Sequence, residues 1–346
     1  MDLHKDSLQI AIVDGKGRVE SNSKIPNTFE DIDRFFGDIP KSAGIVMEAS
    51  SVSEGIFLHL RDSGFKPSLS NPYKTKAIAY AKIKTDKIDA EVLAQMLRGG
   101  FIPHCHMPAR DILDMRHLIR HRKHLAADHR TLRRRIHAVL LSGGIRIDGT
   151  PFTRRYVQAL REMGDYRIDD CLDIMEAIDS CIRRLDRTIG ERIEKWPDDD
   201  PRLLLTIPGI GPYTAMLIVS EIGDVSRFPD SDHLVAYAGM VPSTHSSGNT
   251  TYHGHITKRG SEHLRTALVA SVQSHRIGDP DSNLSSFYSR IAAKHGNAKA
   301  MVATAAKLLR VAYWVLRERR EYQRGPPGGE KGDNRGEKGR QNRSYV

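Results

Sequence analysis

LQIAIVDGKGRVESNSKI, residues 8–25, decides the fold class of the first hundred residues. Leu8 to Val13 is an apolar run with the length and branching of a strand. Asp14-Gly15-Lys16-Gly17 is turn chemistry, which predicts a hairpin partner from Arg18 to Ile25. Working outward, Thr28 can cap a short helix through Phe36. Ala43 to Met47 reads as a buried strand ending at Glu48, and Ser53 to Arg61 carries apolar residues at helical spacing. Lys66 to Ser70 is a short strand closed by Asn71-Pro72. Lys84 to Arg98 reads as a helix with Ile88, Val92 and Leu93 on one stripe.

A hairpin followed by alternating strand and helix is α/β and compatible with an RNase H-like sheet. Asp111 to Leu141 then forms a long helical pattern, with Leu113, Leu118, Leu125, Leu132, Ile136 and Leu140 along an apolar seam. Its other faces hold Arg116, Arg120, Arg122, Lys123, Arg130, Arg133, Arg134 and Arg135, and Gly143-Gly144 ends it. Cys171 to Trp196 is a second long amphipathic helix, and two such helices can pair in a hairpin or mediate dimerisation. Past Leu203, Ile207-Pro208-Gly209-Ile210-Gly211-Pro212 leads into a helix from Tyr213 to Glu221. A compact, mainly α region is expected to run to about Glu321. The tail from Gly325 has almost nothing to bury and is expected to be disordered.

The chain has 346 residues and a formal net charge of +10, which suggests two or three domains and a polyanionic partner. The excess is local. Residues 1–100 are net 0, 101–150 net +6, 151–250 net −6 and 251–346 net +10. Three cysteines at unrelated spacings exclude a disulfide scaffold and favour a reducing compartment. No apolar run approaches the roughly 18 residues of a membrane span, so a soluble, cytoplasmic protein is expected.

Several residues can carry chemistry. Asp86 and Asp89 are three apart and share a helix face, and Glu48 ends a buried strand where a lone carboxylate is costly. Asp2 lies just before Leu3-His4-Lys5. Four such oxygen donors suit a pair of Mg²⁺ ions acting on a phosphodiester. The competing reading is a solvated helix face, since exposed carboxylates are common. The loop Ser243-Thr244-His245-Ser246-Ser247-Gly248 offers a serine beside glycine, followed by Lys258, Arg259 and Arg265 to offset phosphate charge. An ordinary Ser-Gly turn fits the same residues. Pro208-Gly209-Ile210-Gly211 before a helix is similar to a helix-hairpin-helix turn, whose glycines let backbone N–H groups approach a DNA phosphate. A plain tight turn is the alternative. His104-Cys105-His106 makes a poor zinc site, and His117, His121 and His124 read as phosphate-facing or solvated.

Together, Asp2-Leu3-His4-Lys5, Glu48, Lys84-Thr85-Asp86-Lys87-Ile88-Asp89-Ala90, Ile207-Pro208-Gly209-Ile210-Gly211, and Ser247-Gly248 with Thr257-Lys258-Arg259-Gly260 resemble the DEDD transposases of the insertion-sequence 110 family. The resemblance covers roughly residues 1–320. It implies a RuvC-like catalytic domain over 1–103, a helical coiled-coil connector over 104–200, and a mainly α transposase domain over 201–322. Residues 323–346 then form a basic tail.

The resemblance also implies a mechanism. Asp2, Glu48, Asp86 and Asp89 match the tetrad expected to bind Mg²⁺, with Mn²⁺ as a substitute. Ser247 matches the expected nucleophile, with Ser243 and Ser246 in the same loop. The expected partners are donor and target DNA, an element-encoded bridge RNA that selects them, and further copies of the chain as dimer or tetramer. Gly209 and Gly211, Lys258, Arg259 and Arg265 and the connector cations are expected to hold nucleic-acid backbones. Only Met1 precedes Asp2, so the first strand is expected to be incomplete, from a late start or a clipped chain. If Met1 is the true start, a mobile Asp2 is expected. Two other readings stay open: a RuvC-like metal-dependent nuclease or resolvase using water, and a non-catalytic helix-hairpin-helix binding protein.

Overall fold

The computed structural model describes residues 1–78, 85–247 and 250–324, and no side chain between 244 and 253. The chain divides into two compact units, Met1–Pro108 and Ala109–Val346.

In the first unit, β1 (Asp2–Leu3), β2 (Ser7–Val13) and β3 (Val19–Pro26) form an antiparallel sheet in that order. The expected hairpin is present. Asp14 closes its turn by accepting from the backbone N–H groups of Lys16 and Arg18. Thr28 caps α1 (Phe29–Phe36), its hydroxyl accepting from Asp31 N. β4 (Gly44–Glu48), α2 (Ser53–Asp62) and β5 (Lys66–Ser70) make a parallel β-α-β crossover. After α3 (Pro72–Ile78) and α4 (Asp86–Arg98), β6 (His104–Cys105) pairs antiparallel with β5. The core is Leu8, Ile10, Ile32, Met47, Ile56 and Leu60, supplied by strands and helices from the whole unit.

β1 is two residues long, and Asp2 is not the mobile residue that one reading of the sequence expected. It pairs with Gln9, and its side chain is only 16% exposed. The Met1 amine is buried and donates to Val46 O at 2.9 Å, which links β1 to β4. Burial pushes this amine down to about 5. Beside it, a cavity of about 480 Å³ is lined by Met1, Ile10, Ile12, Phe36, Ile45 and Leu97, among others.

The second unit is helical. α5 (Arg110–Ser142) packs along α7 (Tyr166–Glu194), with α6 (Arg154–Glu162) beside it. The ion pair Arg122–Asp186 and the contact of His129 with Asp179 mark an antiparallel pairing, because the partner number falls as the other rises. At 33 residues, α5 is about 50 Å long. One end of the pair has its own core of Leu132, Ile136, Leu140, Tyr156, Leu160, Ile168, Leu172 and Met175. At the other end Met115, Ile119, Ile189 and Ile193 join a larger core. α7 starts at Tyr166, five residues earlier than expected, because Asp165 accepts from Arg167 N and Ile168 is fully buried. α6 was not anticipated: Tyr156 and Leu160 are its only buried residues, too few to set a period.

α8 (Asp200–Leu205), α9 (Pro212–Ile222), α10 (Ser231–Tyr237), the hairpin β7 (Pro242–Ser247) and β8 (Thr250–Ile256), and α11 (Glu262–Gly278), α12 (Asn283–His295) and α13 (Asn297–Glu318) complete the unit. Every residue of α9 from Ala215 to Ile222 is buried, with α5, α7, α8 and α11 packed against it, and α10, α11 and α12 pack against α13. Among the described residues no helix is long and apolar enough to cross a membrane. The tail from Gly325 lies outside the described residues.

Candidate active site and nucleic-acid interface

The first unit brings together residues 84 positions apart. A strand repeats every two residues, so Asp2 and His4 leave β1 and its turn on one side. His4 Nε2 lies 3.1 Å from Asp2 Oδ2 and 3.3 Å from Asp86 Oδ1. Asp86 opens α4 behind the Thr85 cap, where the helix dipole favours a carboxylate. Two tethers set this geometry. His4 N donates to Ser7 O, and Asn27 Nδ2 donates to His4 O and Lys5 O, pinning the turn. Gln9, 2% exposed, donates to Asn22, which in turn donates to Lys87 O and Glu91 Oε1 on α4. Lys24 Nζ lies 3.9 Å from Asp86 Oδ2 and supplies a counter-charge.

Ligand atoms of Asp2, His4 and Asp86 all lie within 4.8 Å of one another, the one such group among the described residues. A divalent ion with bonds of roughly 2.1 Å needs neighbouring donors about 3 Å apart, which the His4 separations approach. The donor set therefore fits a divalent cation. Glu48 sits at the last position of β4, paired with Ser70, and Asp89 is one turn into α4. Neither belongs to the close group. His4, Gln9, Asn22 and Lys24 were missed as site residues. The period of two from Asp2 was the available signal for His4.

In the second unit, β7 pairs Ser247 with Thr250. The side chains of Ser246 and Ser247, and Gly248, lie outside what is described. The cation-bearing segment after β8 is held firmly. Thr257 N donates to Val241 O and Lys258 N to Gly239 O, and Lys258 adopts a left-handed φ of +54°. Gly260 is pressed on Tyr237 O, where a Cβ would overlap the carbonyl. Lys258 and Arg259 project to solvent, whereas Arg265 donates to Ala238 O at 3.0 Å.

The connector cations divide in two. Arg116 donates to the carbonyls of Ser220 and Glu221, and burial lowers the affinity of its guanidinium for a proton. Arg120 donates to Glu221, a carboxylate 2% exposed. Arg122 chelates Asp186 and lies 4.5 Å over the Tyr213 ring. Lys123 reaches His263 at 3.2 Å and Glu262 at 3.7 Å. These four face the protein, where an apolar seam with a charged remainder suggested a free basic surface. Arg130, Arg133, Arg134 and Arg135, toward the far end of α5, are exposed, with Arg133 over the Phe152 ring.

The turn between α8 and α9 has the expected two-helix form, with Gly211 as N-cap of α9. Its glycines differ. Gly209, at φ +86°, abuts the backbone of His275, whose Nδ1 lies 2.7 Å from Pro208 O. Gly211 has nothing within 4 Å of where a Cβ would stand.

Residues 1–143 match the DEDD transposases of the IS110 type, a family described as "Transposase". Residues 201–288 match the family described as "Transposase IS116/IS110/IS902 family". The transposase of the element IS1111A from Coxiella burnetii is 23% identical over 337 residues, covering 94% of this chain and 90% of that one. The Sinorhizobium fredii protein y4qE is 28% identical over 231 residues, covering 66% of this chain and 57% of its own length. A pilin gene-inverting protein of Moraxella bovis is 34% identical over 145 residues, covering 41% of this chain and 45% of that one. The two family matches define a transposase, a class that depends on a divalent metal in general, and the α/β unit carries a donor group that fits such an ion. The chain belongs to the IS110 family of DEDD transposases.

Proposed function

We propose that this transposase exchanges DNA strands of an insertion sequence through a covalent phosphoserine intermediate. The observation that supports its metal centre is the approach of Asp2 and Asp86 to the same imidazole, from opposite ends of the first unit's sequence, and the nucleophile rests on the family resemblance at Ser247. The sheet order β1-β2-β3, with β1 tied to β4 and β4 paired to β5, supports an RNase H-like arrangement of that unit.

In this reading Ser247 Oγ attacks a DNA phosphorus. The P–O3′ bond breaks, the 3′-hydroxyl leaves, and the 5′ end stays on the serine. The 3′-hydroxyl of the other duplex then attacks this phosphoserine and releases the serine hydroxyl. Asp2 and Asp86, with Glu48 and Asp89 completing the tetrad, would hold Mg²⁺ or Mn²⁺, which offsets charge on the phosphate and the leaving oxygen. Lys258 and Arg259 project where they can neutralise backbone charge, and the exposed arginines of α5 can grip RNA or DNA. An element-encoded bridge RNA selects donor and target by base pairing, which leaves the protein to read backbone and shape. Serine and tetrad act together in a dimer, with two dimers at synapsis.

The test is a denaturing gel of labelled donor DNA incubated with protein and guide RNA. A protein–DNA adduct is expected, absent in Ser247→Ala and reduced in Asp86→Asn and Glu48→Gln. An adduct that persists in Ser247→Ala would overturn the nucleophile. Cleavage without any adduct would favour water as the attacking group. Strand exchange unchanged in Asp86→Asn and Glu48→Gln would remove the metal centre.

A further inference from the structure

We infer that His4 is a nitrogen ligand of the divalent cation and biases this site toward Mn²⁺ over Mg²⁺. The inference rests on the metal-centre reading above and adds a residue that the acidic tetrad does not include. His4 Nε2 stands between the two carboxylates, 3.1 Å from Asp2 Oδ2 and 3.3 Å from Asp86 Oδ1. All three ligand atoms fall within 4.8 Å. Asp2 Oδ2 is within hydrogen-bond distance of His4 Nε2, a contact that a cation between them would replace. Here one ring atom is within reach of carboxylates from β1 and from α4.

The backbone around His4 is built to hold that position. Its N–H donates to Ser7 O, and Asn27 clasps the carbonyls of His4 and Lys5. The imidazole is 47% exposed and Asp86 44% exposed, so an ion can reach the three donors from solvent without a core rearrangement. Asp2, at 16%, forms the floor. The separations suit adjacent corners of a coordination sphere with bonds of about 2.1 Å.

The chemical consequence follows from donor type. Mg²⁺ is a hard ion that takes carboxylate and water oxygens and keeps much of its hydration. Imidazole suits the transition metals, whose affinity for nitrogen donors exceeds that of Mg²⁺. Replacing one oxygen donor by the His4 ring therefore raises Mn²⁺ affinity relative to Mg²⁺.

The experiment uses the full chain with Mn²⁺ alone as probe. Mn²⁺ binding is titrated by electron paramagnetic resonance, competed with Mg²⁺, and the bound ion is examined by electron spin echo envelope modulation with ¹⁵N-histidine-labelled protein. We expect a histidine nitrogen coupling in the unaltered chain and its loss in His4→Ala. Mn²⁺ affinity should fall at least about tenfold in His4→Ala, with a smaller change for Mg²⁺. Circular dichroism of His4→Ala checks that the fold is retained. Bound Mn²⁺ that Asp86→Asn abolishes, but that shows no nitrogen coupling, overturns the role of His4 and leaves the metal centre standing. Failure of the unaltered chain to bind Mn²⁺ or Mg²⁺ overturns both.

Discussion

Arg120 directs both Nε, at 3.1 Å, and Nη2, at 2.8 Å, onto one carboxylate oxygen of Glu221, a residue 101 positions away and 2% exposed. The other oxygen of Glu221 accepts from Ser261, which caps α11, and its backbone carbonyl accepts from Tyr237 and Arg116. One buried acid thus ties α5, α9, α10 and the start of α11. Removing Glu221 strands Arg116 and Arg120, the latter still 37% exposed and open to water, so the cost is less than for a fully buried pair, at about 1–3 kcal/mol. Glu221→Ala should therefore lower stability by about that amount in urea unfolding followed by fluorescence of Trp196 and Trp314, both in this unit. A loss under about 1 kcal/mol would contradict the role given to the pair.

The two glycines of the α8–α9 turn should separate fold from binding. Gly209→Ala places a Cβ against the His275 backbone at a φ of +86°, so it should destabilise the second unit by at least about 2 kcal/mol. Gly211→Ala meets open space at a φ of −93° and should leave stability within about 0.5 kcal/mol. If the N-terminus of α9 receives a phosphate, Gly211→Ala weakens DNA binding while unfolding is unchanged. Equal melting of both variants would show that the turn has no such division.

Strands β2 to β5 and the ends of α1, α2, α4, α5 and α9 were legible because their signals are local, whereas α3, α6, α8 and α10 to α13 were not bounded from sequence. The Asp-Gly turn, the Thr28 cap and the Gly143 stop each act within four residues. Of the candidate site, Asp2 and Asp86 were legible as carboxylates, but their approach to His4 was not. Nothing within ten residues of Gln9 or Asn22 shows that they tether α4, because their partners lie up to 69 positions away. The same limit explains the arginines of α5. The inward-facing cations lie together in the first half of α5, where they meet carboxylates and carbonyls of α7, α9 and α11, and the exposed ones lie in its second half.

That division yields a salt-dependence prediction. Arg130, Arg134 and Arg135 are exposed, so changing all three to Gln should leave the unfolding midpoint nearly unchanged. If each contacts a phosphate, the slope of log K against log salt for nucleic acid should shrink by about 2–3. Arg116→Gln should do the reverse, costing stability through its two lost carbonyl contacts and leaving the slope alone. Filter binding at several salt concentrations checks both. An unchanged slope in the triple variant would remove this face from the interface.

The two units should respond to pH in opposite directions. For a chain with a free Met1 amine, burial holds that amine at about 5 when folded against about 8 when unfolded. Between those values the unfolded chain binds more protons, so the first unit gains stability as pH rises from about 5 to about 8. Asp200 of the second unit is pushed up to about 6, first by burial and then by Asp198, despite Arg319 at 3.3 Å. Its folded form holds the extra proton, so stability there falls as pH rises from about 4 to about 6 and the cost persists above that. Amide hydrogen exchange on the full chain resolves the two. On lowering pH from 8 to 5, protection in β2 and β4 should drop after correction for intrinsic rates, while α8 and α9 should hold or gain. Acetylating Met1 removes the titrating amine and should abolish the first effect. Asp200→Asn should abolish the second and stabilise the unit by about 1–2 kcal/mol at pH 7. Parallel pH profiles for the two units would contradict both assignments.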